Sequence, residues 1–61
     1  MKAQDYYSLL ENNGQFLSAG HYLRAHEFIQ REEAMLNDGR QTQDECSDNI
    51  EFIFKIMGVM E

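Results

Sequence analysis

Proline is absent from this chain, and its 61 residues include only four glycines and one cysteine. With so few helix breakers, long helices are expected. The lone Cys46 excludes a disulfide within the chain and fits a reducing, cytoplasmic compartment. Basic residues are scarce too: five Lys and Arg against eleven Asp and Glu leave a net charge of −6. That balance argues against direct binding of nucleic acid, because phosphate contacts need clustered cations. No apolar run approaches the ~20 residues of a membrane span, so no membrane association is expected. The opening MKAQDYYSLL also lacks the apolar core of a signal peptide.

A chain this short forms at most one domain and buries only about 60% of the surface its unfolded form exposes. Small folds usually add a disulfide, a metal or a partner subunit. The first is excluded. For the second, His21 and His26 lie about 140° apart on a helix and cannot share a metal ion. NDGRQTQDE has no calcium-loop pattern. A Gly-rich phosphate loop and a Ser/His/Asp constellation are also missing. No catalytic residue, metal or cofactor is therefore expected, and the chain does not read as an enzyme. Association remains as the source of added stability, and a homodimer is expected.

Three helices can be placed. Residues 3–12 carry Ala3, Tyr6, Tyr7 and Leu10 at helical spacing, widened by Leu9, with Asn12-Asn13-Gly14 as a left-handed stop. The second helix is expected over 15–37, so that Phe16 and Leu17 are buried. A start at Ser18, with a Leu17–Tyr22 staple, is the alternative. Tyr22, Ala25, Phe28, Ile29, Met35 and Leu36 share its apolar face. Asn37-Asp38-Gly39 ends it. Thr42-Gln43-Asp44-Glu45 is a capping box opening a third helix over 43–59. The fold class is all-α: a helical hairpin plus a C-terminal helix, paired into a homodimeric bundle.

Tyr7 and Leu10, followed by Gly14, Phe16 and Ala19 at the turn, make the first hairpin similar to a tetratricopeptide repeat over about 24 residues. The resemblance implies tight antiparallel packing of two helices. It stops there: the second helix is too long, His26 takes a position the repeat gives to a small residue, and no second copy follows. No ligand-binding role is carried over.

The stretch IEFIFKIMGVM, residues 50–60, holds eight large apolar residues in eleven positions. It also alternates, with Ile50, Phe52, Phe54 and Ile56 on one side, as a strand would. No other segment offers a pairing strand, so a helix is expected. On that helix Cys46, Ile50, Ile53, Phe54, Met57 and Met60 form a stripe, and Phe52, Ile56 and Val59 extend it. The apolar arc is roughly 220°, against ~100° for an ordinary surface helix. One hairpin cannot cover it. Phe52, Ile53, Ile56, Met57, Val59 and Met60 are thus candidate interface residues, and burial would contribute roughly 1.5–3 kcal/mol per side chain. Cys46 reads as a buried, inert thiol on this stripe, despite its place near a helix N-terminus.

Two polar features stand out. Glu32 falls inside the apolar face of the second helix, where a carboxylate needs a partner such as Arg40 or Lys55. From Glu32 to Glu51 there are seven acids against Arg40 alone, so the net charge concentrates there. Glu33, Asp38, Asp44, Glu45, Asp48 and Glu51 are the candidate acidic patch for a basic protein partner. A non-enzymatic regulator or adaptor is expected, of the short accessory kind found in phages, plasmids and bacteria. The alternatives are a DNA-mimicking inhibitor of a nucleic-acid-binding protein and a purely structural oligomerisation module.

Overall fold

The structure, a computed structural model, describes residues 2–60. Among them are three α-helices and no strand: α1 (Ala3–Asn12), α2 (Ala19–Asn37) and α3 (Gln43–Met57). Helix α1 opens where the Lys2 amide donates to Asp5 Oδ2 at 2.9 Å, with the acid at the positive end of the helix dipole. Its end differs from the expected left-handed stop. Asn13 has φ −106°, and its side-chain amide donates to the Leu9 carbonyl at 2.8 Å, satisfying a terminal acceptor directly.

A 3₁₀ turn, Gly14–Phe16, follows, and Leu17 is extended. Helix α2 therefore begins at Ala19 instead of Gln15. The Ser18 hydroxyl accepts the His21 amide at 3.1 Å and caps it. Leu17 is half-buried against the core, while Phe16, expected inside, is 76% exposed. Gly14 is not left-handed, and its neighbour across the turn, Tyr22, stands at ordinary contact distance. A Cβ there would stand 3.4 Å from the Tyr22 ring. Gly14–Tyr22 and Tyr7–His26 pair residues increasingly distant in sequence, as in an antiparallel hairpin.

Helix α2 ends in a Schellman turn. Gly39 is left-handed at φ +75°, and the Arg40 amide donates to the Met35 carbonyl at 2.9 Å. The expected capping box opens α3: Thr42 Oγ1 accepts the Glu45 amide at 3.2 Å, and Glu45 Oε1 accepts the Thr42 amide at 2.9 Å. The core joins Tyr6 and Leu10 of α1, Ala25 and Ile29 of α2, and Cys46, Ile50, Phe54 and Val59 from the C-terminal segment. The total surface of 4260 Å² is close to the ~4100 Å² expected of a folded monomer of this mass. The hairpin and α3 thus close on each other, and the large apolar side chains left exposed are Phe16 on the turn, Leu23 on α2, and Phe52 and Ile56 on α3.

Candidate protein interface

Helix α3 is held on two sides by polar contacts. On the α1 side, the ring of Tyr6 is wholly buried and meets Phe54 edge-on at 5.8 Å and 89°. Its hydroxyl donates to Glu51 Oε2 at 2.5 Å and is also hydrogen-bonded to Ser47. Ser47 and Glu51 are one helical turn apart, so both reach the same oxygen. Burial, then the hydrogen bond to the Glu51 carboxylate, pushes the Tyr6 phenol up to about 12, with Ser47 opposing.

On the α2 side lies Glu32, only 5% exposed. Its Oε1 accepts from Asn49 Nδ2 at 2.8 Å and from Gln41 Nε2 at 3.2 Å. The same Gln41 amide reaches the Glu32 carbonyl at 3.1 Å. The partners are two neutral amides; Arg40 and Lys55, the cations expected, are both exposed. This arrangement ties mid-α2, the turn and α3 together, and no buried side-chain N or O among the described residues lacks a partner. Beside it, burial and then the charges of Glu32 and Glu33 push the Cys46 thiol up, which suppresses its thiolate.

The outer side of α3 carries Glu45, Asp48, Phe52, Lys55 and Ile56, all exposed and at helical spacing. Phe52 is 64% and Ile56 67% exposed. Ile53, Met57 and Met60 are half-buried, and Met57 and Met60 pack against the core, not on this strip. Val59 does not belong to it. The helix stops at Met57, short of the expected Val59, because Gly58 turns left-handed at φ +79°. The Val59 amide then donates to the Phe54 carbonyl at 2.9 Å, and the Val59 side chain folds into the core. This is the apolar contact that accompanies a Schellman cap.

The acidic residues divide as well. Asp38, Asp44, Glu45 and Asp48 are exposed, while Glu33 and Glu51 are half-buried. Glu45 is engaged in the cap and Glu51 accepts from Tyr6. The freely displayed part of the patch is thus the start of α3, Asp44 and Asp48, with Asp38 at the end of α2. Sequence reasoning missed the Tyr6–Ser47–Glu51 set. The i, i+4 spacing of Ser47 and Glu51 was the available signal, but their partner is 45 positions from Glu51 in sequence. The His26 ring is half-buried, 4.9 Å from that of Tyr7 and 6.3 Å from that of Tyr22.

The described residues enclose no pocket and group no set of three metal-binding side chains. None of their helices is long and apolar enough to cross a membrane. No family model, curated protein or solved structure matches the chain.

Proposed function

We propose that this chain is a non-enzymatic interaction module, a regulator or adaptor that docks through the outer strip of α3. One observation carries the reading: Phe52 and Ile56, one turn apart, stand in solvent on a helix whose other sides are engaged. Scattered exposed apolar residues are ordinary, but two large ones adjacent on one helix face resemble the anchors of helix-mediated recognition. With about 200 Å² for a fully exposed large apolar side chain, the pair leaves roughly 250 Å² in water. Covering it would contribute about 2–4 kcal/mol before the costs of association are subtracted.

The test compares Phe52→Asp and Ile56→Asp with wild type. Both sites are exposed, so both variants should keep the wild-type circular dichroism spectrum. The reading expects them to lose whatever protein co-purifies with wild type from the native host, or to lose self-association. Unchanged binding by both folded variants would refute it. Phosphate mimicry draws on a different set, Asp38, Asp44 and Asp48, and predicts that Asp44→Asn with Asp48→Asn abolishes binding while Phe52→Asp does not. The engagement of Glu45 and Glu51 inside the fold leaves that reading fewer free carboxylates, and it ranks second for that reason.

A further inference from the structure

The geometry points to a second copy of this chain as the occupant of the outer strip, with the two α3 helices antiparallel about a two-fold axis near Phe52. The inference rests on the reading that this strip docks, and it adds partner and orientation. A two-fold interface must be self-complementary, each residue meeting on the partner the one it would itself need. The strip has that pattern. Asp48 lies four residues before Phe52 and Lys55 three after, and at about 100° per residue they occupy the same edge of the helix. In antiparallel pairing like edges meet. A centre beside Phe52 therefore places Asp48 against Lys55 of the second copy, and symmetry forms the pair twice. Between the two pairs, Phe52 meets Phe52 of the other copy near the axis, and Ile56 fills the opposite edge.

Parallel pairing brings unlike edges together, setting the Asp48 and Lys55 edge of one helix against the Ile56 edge of the other, so no Asp48–Lys55 pair forms. Charge placement at larger scale agrees. Asp44 and Glu45 crowd the start of α3, in a chain of net charge −6. Parallel helices would bring the two clusters together. Antiparallel helices hold them roughly 20 Å apart along the axis, more than twice the ~8 Å Debye length at physiological salt. The area fits a modest dimer. Phe52 and Ile56 of both copies account for about 500 Å², and the flanking Glu45, Asp48 and Lys55 add polar area, so the contact lies at the small end of specific interfaces. A weak dimer is expected, since weak and transient contacts are the ones that lie at this small end.

Sedimentation equilibrium on the full chain, from 1 to several hundred micromolar, tests this with charge reversals at the exposed positions 48 and 55. Wild type should form a dimer and no larger species. Asp48→Lys alone and Lys55→Asp alone should each weaken it by about tenfold, since two pairs turn repulsive at once. The double reversal should restore affinity to within about threefold of wild type, which only antiparallel apposition of these positions allows. A wild-type monomer throughout the range overturns the inference. So does a dimer that the single reversals leave unchanged, or one that the double reversal does not rescue. Phe52→Ala separates the two levels of argument. If wild type is monomeric but Phe52→Ala still loses a co-purifying protein, the strip docks a foreign chain and only the second-copy inference falls. If Phe52→Ala changes neither dimer nor co-purification, the docking reading falls with it.

Discussion

Replacing Tyr6 with Phe removes one oxygen from the best-connected buried side chain, and the consequence should reverse sign with pH. At neutral pH the hydroxyl donates to the Glu51 carboxylate at 2.5 Å. Such bonds contribute about 1.5–3 kcal/mol, and Glu51 is half-exposed and regains water when the donor is lost, so the lower end applies. Tyr6→Phe should therefore lose about 1.5 kcal/mol at pH 7, a drop of roughly 6–12 °C in Tm for a chain of this size. The phenol is pushed from its ordinary 10.0 up to about 12 in the folded protein. A group whose folded value is raised stabilises fully below the unfolded value and loses that contribution as pH climbs through the folded one. Two units correspond to about 2.7 kcal/mol, lost between pH 10 and 12 in wild type and absent from the variant. The two stabilities should cross near pH 11, where the wild type has surrendered about 1.4 kcal/mol. Tyr7 and Cys46 are also pushed up by burial, but they titrate in both proteins and cancel in the difference. Urea unfolding followed by far-ultraviolet circular dichroism at fixed protein concentration, from pH 7 to 11.5, measures the difference directly. A gap that stays constant across this range would refute the assigned coupling, and equal stability at pH 7 would refute the hydrogen bond.

Two glycines should respond in opposite directions to alanine. Gly58→Ala forces a side chain into φ +79° and loosens the turn that delivers Val59, costing about 1–2 kcal/mol. Gly20→Ala adds a methyl with nothing within 4 Å near the start of α2, and should stabilise by up to about 1 kcal/mol. Calorimetric melting of both variants checks the pair, and shifts of the same sign would contradict the backbone assignment. The Glu32–Asn49 bond should appear as non-additivity. Asn49→Ala should cost about 1 kcal/mol in wild type and close to nothing in a Glu32→Ala background, by denaturant midpoints. Simple additivity would mean that water serves Glu32 as well as Asn49 does.

Helix existence and the main core were legible in the sequence because both follow from short-range pattern. Tyr6, Leu10, Ala25, Ile29, Ile50 and Phe54 sit at the centre of their stripes, and all are buried. Thr42 with Glu45 is a local motif whose two hydrogen bonds depend on three residues of chain. The missed details depend on competition between local choices. Gln15 to Leu17 have helical spacing with α2, but Ser18 caps the next turn better and leaves Phe16 outside. Val59 continues the apolar arc of α3 on a helical wheel. A wheel assumes the helix continues, however, and Gly58 ends it. Glu32 was legible as a problem, a carboxylate within an apolar face. Its solution was not, because Gln41 and Asn49 are polar residues with nothing in their spacing to mark them as a pair of donors.

These polar contacts also decide how far the exposure of Phe52 is imposed. An isolated amphipathic helix with a 220° apolar arc would be free to roll, burying one flank or the other at similar cost. Helix α3 is not free. Glu51 faces Tyr6 on one side and Asn49 faces Glu32 on the other, about 160° apart around its axis. Rolling Phe52 inward moves both away from their partners, leaving a buried tyrosine hydroxyl and a nearly buried carboxylate short of hydrogen bonds. Each such loss costs about 1–3 kcal/mol. The roll would also bring Phe54 out of its edge-on contact with Tyr6, returning about as much apolar surface to water as Phe52 would remove. With both sides fixed, Phe52 and Ile56 stay on the solvent side of α3. Charge reversal at the exposed Asp48 and Lys55 therefore tests the proposed docking at this strip while leaving the fold of the single chain intact.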